Sequence, residues 1–338
     1  MSSRLLVLGW HNIEPTWSFH GASAEAGRRG FERQVRWLRR WASVVPLGPA
    51  LADLAAGRPL PSRAVALTFD DGYLDNAAFA APLLRDAGLT ATFFLVPDFL
   101  SGTVTVWWEE LGRAFAEATV TELRWDGERY DTSNPAARRA ARTAVQEPLK
   151  MLDARARADA VAELSDRLAP AAHAGSTRQF MNWEEAGQLL EAGHDIGSHT
   201  CTHPILSREV PTEQGRQLVE SRRALEAAFG RTVDLLAYPN GRAVDYSPAT
   251  LELVAEAGYR YAITTQAGIT RQGAAPHAIP RLVVDSGTRV RDALRDLARE
   301  RIRPSCSLGL GPTTARPAGG PARGHQQCAR GGAEQPKV

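Results

Sequence analysis

The sequence predicts an α/β protein, a parallel sheet or barrel wrapped by helices, on three observations. Short apolar runs of strand type alternate with longer stretches of helical period. Gly88, Gly193, Gly230 and Gly258 fall where the helical stretches should stop, the position past a helix end that glycine favours. The composition, 43% hydrophobic and 23% charged over 338 residues, suits one large α/β domain or two ordinary ones.

Taken in order, residues 5–8 (LLVL) read as the first strand and residues 31–41 as a helix. The apolar run 64–69 (AVALTF) is a buried strand, followed by a helix over 76–87 and a strand over 91–96. From about 101 to 180 the rhythm breaks. Trp107 and Trp108 stand together there, Asp126-Gly127 marks a hairpin turn, and an Ala/Arg-rich stretch over 135–168 is helical. This stretch reads as an insertion packed on the barrel. Asn182, with Glu185 three residues later, has the form of a capping box opening a helix over 183–192. Strands over 194–197, 235–238 and 261–264 follow, separated by helices over 212–229 and 248–257. One domain over 1–302 is expected. From Arg303 on, 12 of 36 residues are Gly or Pro and no hydrophobic period survives, so 303–338 is expected to be a disordered tail.

The formal net charge is +2, and the tail contributes five Lys/Arg against one Glu. A nearly neutral body gives no electrostatic case for a nucleic-acid partner. Of three cysteines, Cys306 and Cys328 lie in the tail, and none shows a CxxC spacing, so neither a disulfide framework nor a thiolate zinc site is expected. The apolar run near the N-terminus is too short for a signal peptide, and no later run approaches a membrane span. As written the chain reads as cytoplasmic; a start codon placed too far downstream would hide an export signal.

Two clusters carry chemistry. The strand over 64–69 runs into Asp70, Asp71 and Gly72, and strand C-terminal ends are where α/β sheets and barrels build sites. Adjacent aspartates on an extended chain point different ways, so one can bind a metal while the other faces substrate. An Asp-Gly turn is the plain alternative. The strand over 194–197 leads in the same way into His199 and His203, whose spacing of four lets both imidazoles converge on one cation. Either cluster alone is weak. Together they offer one carboxylate, two imidazoles and open positions for water, a plausible catalytic metal site.

The motifs TFDDG, HTCTHPIL and Ala237-Tyr238-Pro239-Asn240-Gly241, in this order, resemble those of the polysaccharide deacetylases, the NodB-homology family, over about residues 1–300. The resemblance implies a distorted (β/α) barrel of about seven strands. It implies that Asp71, His199 and His203 bind a divalent ion, zinc first, with cobalt, nickel or iron also fitting. It implies that Asp70 is the general base, and that the backbone N–H of Asn240, after Pro239, stabilises the oxyanion. Tyr238 and Pro239 would then border the substrate.

Two positions depart from the family pattern. Its third motif usually opens with an Arg that orients the base, where this chain has Ala237. Arg281 is the candidate replacement, and a plain surface charge is the alternative. The usual C-terminal Leu-x-His, source of the general acid, is missing. Leu8-Gly9-Trp10-His11 is similar instead to the rearranged motif of exopolysaccharide deacetylases, at the end of the first strand. First and last strands of a closed barrel are neighbours, so His11 is expected to protonate the leaving amine, or else merely to hydrogen-bond there. Trp107 and Trp108 offer an aromatic wall for a sugar ring, or are core. His20, His173 and His194 have no motif around them and read as structural; Cys201, with no base partner in view, is a weak nucleophile.

The implied function is metal-dependent removal of N-acetyl groups from N-acetylhexosamine units of a glycan or glycoconjugate. Hydrolysis of a formamide or cyclic imide by the same apparatus is one alternative, and a non-catalytic glycan-binding protein is another.

Overall fold

The computed structural model describes residues 3–19, 23–171 and 178–298. The expected tail, with Cys306 and Cys328, and His20 and His173 lie outside them. The strands are β1 (Arg4–Trp10), β2 (Ser43–Val44), β3 (Ala64–Phe69), β4 (Thr92–Leu95), β5 (Glu122–Trp125), β6 (Glu128–Asp131), β7 (Asp195–Ser198), β8 (Leu235–Ala237), β9 (Tyr261–Ile263), β10 (Thr270–Arg271) and β11 (Leu282–Val283).

β1, β3, β4, β7, β8 and β9 run parallel side by side in that order, and β11 lies parallel against β1 as a seventh. Ile279, just before β11, forms a parallel bridge with Ile263 of β9. The short segment 279–283 therefore touches both ends of the row, and the sheet curls into the distorted barrel that the family resemblance implies. Residue parity along the strands decides the packing. Leu6, Leu8 and Trp10 of β1 join Val65, Leu67 and Phe69 of β3 in one cluster with the surrounding helices. Leu5, Val7, Ala64 and Ala66 face the other way, into a second cluster with Phe94, Leu235, Ala237 and Ile263. Trp10, Phe69 and Phe93 stand in register on three adjacent strands and stack at 5.5 and 4.8 Å between centroids. Each such ring removed from water stabilises by roughly 1.5–3 kcal/mol.

The insertion holds the β5–β6 hairpin and helices Trp107–Ala116, Pro135–Leu149 and Ala154–Leu168. Asp126 and Gly127 take φ of 51° and 77°, the paired left-handed residues of a two-residue hairpin turn. Leu111, Phe115, Leu123, Val145, Leu164 and Leu168 give it a small core of its own. Trp108 ties it to Val96 and Phe99, beyond the end of β4. The helix after β3 opens as a π-helical turn, Asn76–Ala80, before its α-helical part, Ala81–Asp86. Among the described residues no helix is long and apolar enough to cross a membrane.

Candidate metal and catalytic site

Asp70 and Asp71 leave the end of β3 in different directions. The Asp70 N–H still donates to the Trp10 carbonyl at 2.9 Å, continuing the β1–β3 ladder by one step. Asp71 and Gly72 then take φ of 71° and 76°. The turn reading and the site reading of this motif thus describe the same geometry: the turn is what separates the two carboxylates.

Asp71 meets both histidines. Its Oδ1 lies 3.4 Å from His199 Nε2 and 3.3 Å from His203 Nε2, and the ligand atoms of the three residues lie within 4.8 Å of one another. His199 Nδ1 donates to the Ala237 carbonyl at 2.7 Å, since a carbonyl only accepts, so its Nε2 turns a lone pair toward Asp71. Asp71 Oδ1 is buried without a hydrogen-bond partner. A buried orphan oxygen between two imidazole nitrogens is costly unless a cation fills the gap, and two imidazoles with a carboxylate suit zinc and its neighbours. The donor set therefore fits a divalent ion. Burial pulls the His203 pKa down to about 3 even against Asp71, which keeps it the neutral imidazole that a metal takes. For His199 burial acts the same way, but the carboxylates of Asp70 and Asp71 outweigh it and raise the pKa.

The loop is held in an unfavourable shape. Asp71, Thr200, His203 and Asn240 are all non-glycine residues at positive φ, a strain that persists only where surroundings impose it. Gln217, from helix Pro211–Phe229, accepts the N–H groups of Cys201 and Thr202 at 3.0 Å each. The ring of Trp108 packs 4.6 Å from that of His203. Burial lifts the Cys201 thiol to about 12, which suits a side chain that packs rather than attacks.

Asp70 meets Arg281. The guanidinium donates Nη1 to Oδ1 at 2.7 Å and Nη2 to Oδ2 at 2.6 Å, with Nη1 also 3.2 Å from Thr68 Oγ1 and Nε 3.3 Å from the Thr264 carbonyl. Arg281 is fully buried, so the surface-charge alternative does not hold. Burial raises the Asp70 pKa, but the charge and hydrogen bonds of Arg281 outweigh it and the carboxyl titrates below its ordinary value. Gly9 makes this possible: a Cβ there would sit 2.7 Å from Arg281 Cδ. Ala237, in the family's arginine position, leaves the inner face small. His11 follows β1 on the same rim, its side chain 30% exposed and its Nε2 3.9 Å from Asp70 Oδ2.

Other expected contacts differ. Tyr238 is buried, stacks on Tyr246 at 4.7 Å and gives its hydroxyl to the His277 carbonyl, so its side chain packs beneath the loop and does not border a substrate. Pro239 is buried as well. Asn240 is half-buried, and its backbone N–H has no partner among the described residues. Trp108 is 7% exposed and donates Nε1 to Tyr73 Oη, and Trp107 lies half-buried under Arg157. An exposed sugar platform needs an open ring face, so core packing is the reading that stands for Trp108. His194 is buried, with Nε2 3.0 Å from the Ala81 carbonyl, a structural contact as expected.

Several residues of the site had no sequence signal. Glu109 is buried and accepts from Thr16, Ser18, Tyr73 and Gln179. Asp75 and Asn76 bind the backbone after β1.

The sequence model of the polysaccharide deacetylase family matches residues 57–124 and 159–262, half of the chain. The chain belongs to the polysaccharide deacetylase family. It is thereby a member of a family of glycan deacetylases, and its fold is that of a hydrolytic enzyme. A similar protein, YxkH of Bacillus subtilis (strain 168), is 20% identical over 287 residues, 84% of this chain and 73% of its own. The structure of deacetylase PplD of Streptococcus pyogenes superposes with a TM-score of 0.58 at 16% identity, over 88% of this chain and 99% of PplD. IcaB of Ammonifex degensii gives 0.54 at 20%, over 88% and 97%. The deacetylase domain of BpsB of Bordetella bronchiseptica gives 0.53 at 17%, over 84% and 96%. At these identities the likeness establishes the fold. His11 and Arg281 both lie outside the residues matched by the family model.

Proposed function

We propose that this polysaccharide deacetylase hydrolyses N-acetyl groups from N-acetylhexosamine units of a glycan or glycoconjugate, with Asp71, His199 and His203 holding a zinc ion. The observation that carries the reading is the pair of adjacent carboxylates with divided partners: Asp71 faces two imidazoles and Asp70 faces a guanidinium. A divalent ion in the first set supplies carbonyl polarisation and lowers the pKa of water beside it.

Asp70 is the general base. Arg281 favours its ionised form and fixes its plane, and each of its oxygens retains a second lone pair for the attacking water. The Asn240 N–H, at the strained turn after β8, donates to the developing oxyanion. His11, its Nε2 3.9 Å from Asp70 Oδ2 and its side chain partly exposed, gives its proton to the leaving nitrogen.

The experiment is acetate release from the zinc-loaded protein on N-acetylglucosamine oligomers and on nucleotide- or lipid-linked N-acetyl sugars. Asp70→Asn and a chelated sample serve as controls, with formamide and cyclic imide substrates in parallel. Release that vanishes in both controls supports the reading. Turnover of only the formamide or imide set replaces it with that chemistry, and bound metal with no turnover at all replaces it with glycan binding.

A further inference from the structure

β1 stops at Trp10, so His11 and the residues after it have no strand partner to hold them. Yet three hydrogen bonds from elsewhere in the described chain reach the main chain of this short stretch, and they come from two adjacent side chains. Asp75 Oδ2 accepts the N–H of Ile13 at 2.6 Å and that of Glu14 at 2.7 Å. Asn76 Nδ2 donates to the His11 carbonyl at 2.9 Å. The same amide donates to Asp75 Oδ1 at 2.9 Å, which ties the two clamping groups to each other. Asn76 is fully buried, and the ionised form of Asp75 is one that burial disfavours.

The clamp sits at the start of the π-helical turn Asn76–Ala80, with Asp75 as the N-cap residue and Asn76 as the first residue of the turn. A π-turn widens a helix locally and is found mostly where a side chain must be re-aimed for function. Here Asp75 precedes the turn as its N-cap residue and Asn76 opens it, and both side chains reach the same stretch of a different element. A carboxylate kept where burial raises its energy, with one oxygen on the main chain after β1 and the other on Asn76, answers to a requirement other than stability.

We propose that Asp75 and Asn76 are positioning residues for His11, holding its main chain so that the imidazole stays beside Asp70 at the rim of the site. This rests on His11 acting as the general acid. The clamp links the acid to the base through one short run of chain: Asp70 and Asp71 end β3, and five residues after Asp71 the same loop reaches across to fix the neighbour of β3. The geometry of proton donor and proton acceptor is thus set by one loop and not by two independent ones.

The leaving group separates this role from general damage. An N-acetyl sugar expels an amine and needs the proton of His11; 4-nitrophenyl acetate expels a stable phenolate and does not. Asp75→Asn, Asn76→Ala and His11→Ala are compared on both substrates in the zinc-loaded protein, with metal content measured to show that the site is formed. Asp75→Asn is isosteric and serves if Asn76→Ala does not fold. The expected result is a tenfold or greater loss of kcat on the amide with little change on the ester, and no further loss when either clamp variant is added to His11→Ala. Equal losses on amide and ester, or losses that multiply with that of His11→Ala, would overturn the clamp while leaving the acid in place. A His11→Ala protein with an unchanged amide-to-ester ratio would remove the acid role and the clamp with it.

Discussion

Arg281 and Asp70, 211 residues apart in sequence, meet inside the barrel through two parallel charge-assisted hydrogen bonds, and both side chains are almost wholly buried. Fork-on-carboxylate geometry fixes orientation as well as charge, which a single contact does not.

Removing one partner of such a pair leaves an uncompensated buried charge, at a cost of about 3–5 kcal/mol. Arg281→Met is therefore expected to lower stability by that order and to reduce kcat strongly. Arg281→Lys should recover much of the stability but little of the rate, because an ammonium cannot bond both oxygens in plane. Urea unfolding and steady-state kinetics read the two effects separately, and a lysine variant with full rate would show that charge alone suffices.

Gly9 is the space that Arg281 occupies. Gly9→Ala places a Cβ 2.7 Å from Arg281 Cδ, and overpacking of this kind costs about 1–3 kcal/mol. The loss in kcat should resemble that of the arginine variants, and Gly9→Ala combined with Arg281→Met should cost less than the sum. Strict additivity would mean that the two positions act independently.

Asn240 is assigned a role through its backbone, so its side chain should matter little. Its φ is 57°, which glycine adopts freely. Asn240→Gly is expected to keep most of the rate. Asn240→Pro, without an N–H and unable to adopt that φ, should lose about 10²–10³ in kcat with metal still bound. A glycine variant as impaired as the proline one would assign the function to the side-chain amide.

Asp75 gives a pH signature. Burial lifts its carboxyl to about 6 from an ordinary 3.8, so the native state binds this proton more tightly than the unfolded chain. Its stabilising contribution is complete below about pH 4 and is lost as pH rises through about 6, a swing on the order of 3 kcal/mol. Asp75→Asn should therefore gain on the parent protein between pH 4 and pH 7 in urea unfolding at fixed metal. A difference that stays flat over this range would show that the group titrates normally.

The strands that build the barrel were legible because their apolar runs are continuous, and the four metal and base residues because they follow two of those runs directly. The start of helix Ala24–Trp41 was not, since Gly27 and Gly30 are poor helix formers within its first two turns. Both lie where the helix touches backbone, and a Cβ would meet the carbonyl oxygens of Ile13 and Ser286 at 2.3 and 2.1 Å. Helix Leu47–Ala55 has no capping side chain and follows a proline, so it carried no start signal. Arg281 was legible only as a substitute for a residue missing at Ala237. Its burial could not be read, because the glycine that admits it stands 272 positions earlier in the chain. Glu109, Asp75 and Asn76 act on chain segments far from their own motifs, and a linear pattern holds no trace of that.

The segment 279–283 bridges β9, pairs with β1 and carries Arg281. A chain emerging from the ribosome folds from its N-terminal end. It has His11, Asp70, Asp71, His199 and His203 in hand long before that segment appears. Until then Asp70 has no counter-charge, and the two sides of the sheet have nothing between them. This segment is the latch of the molecule, and the door cannot shut on a working site until it has been made and has closed between β9 and β1.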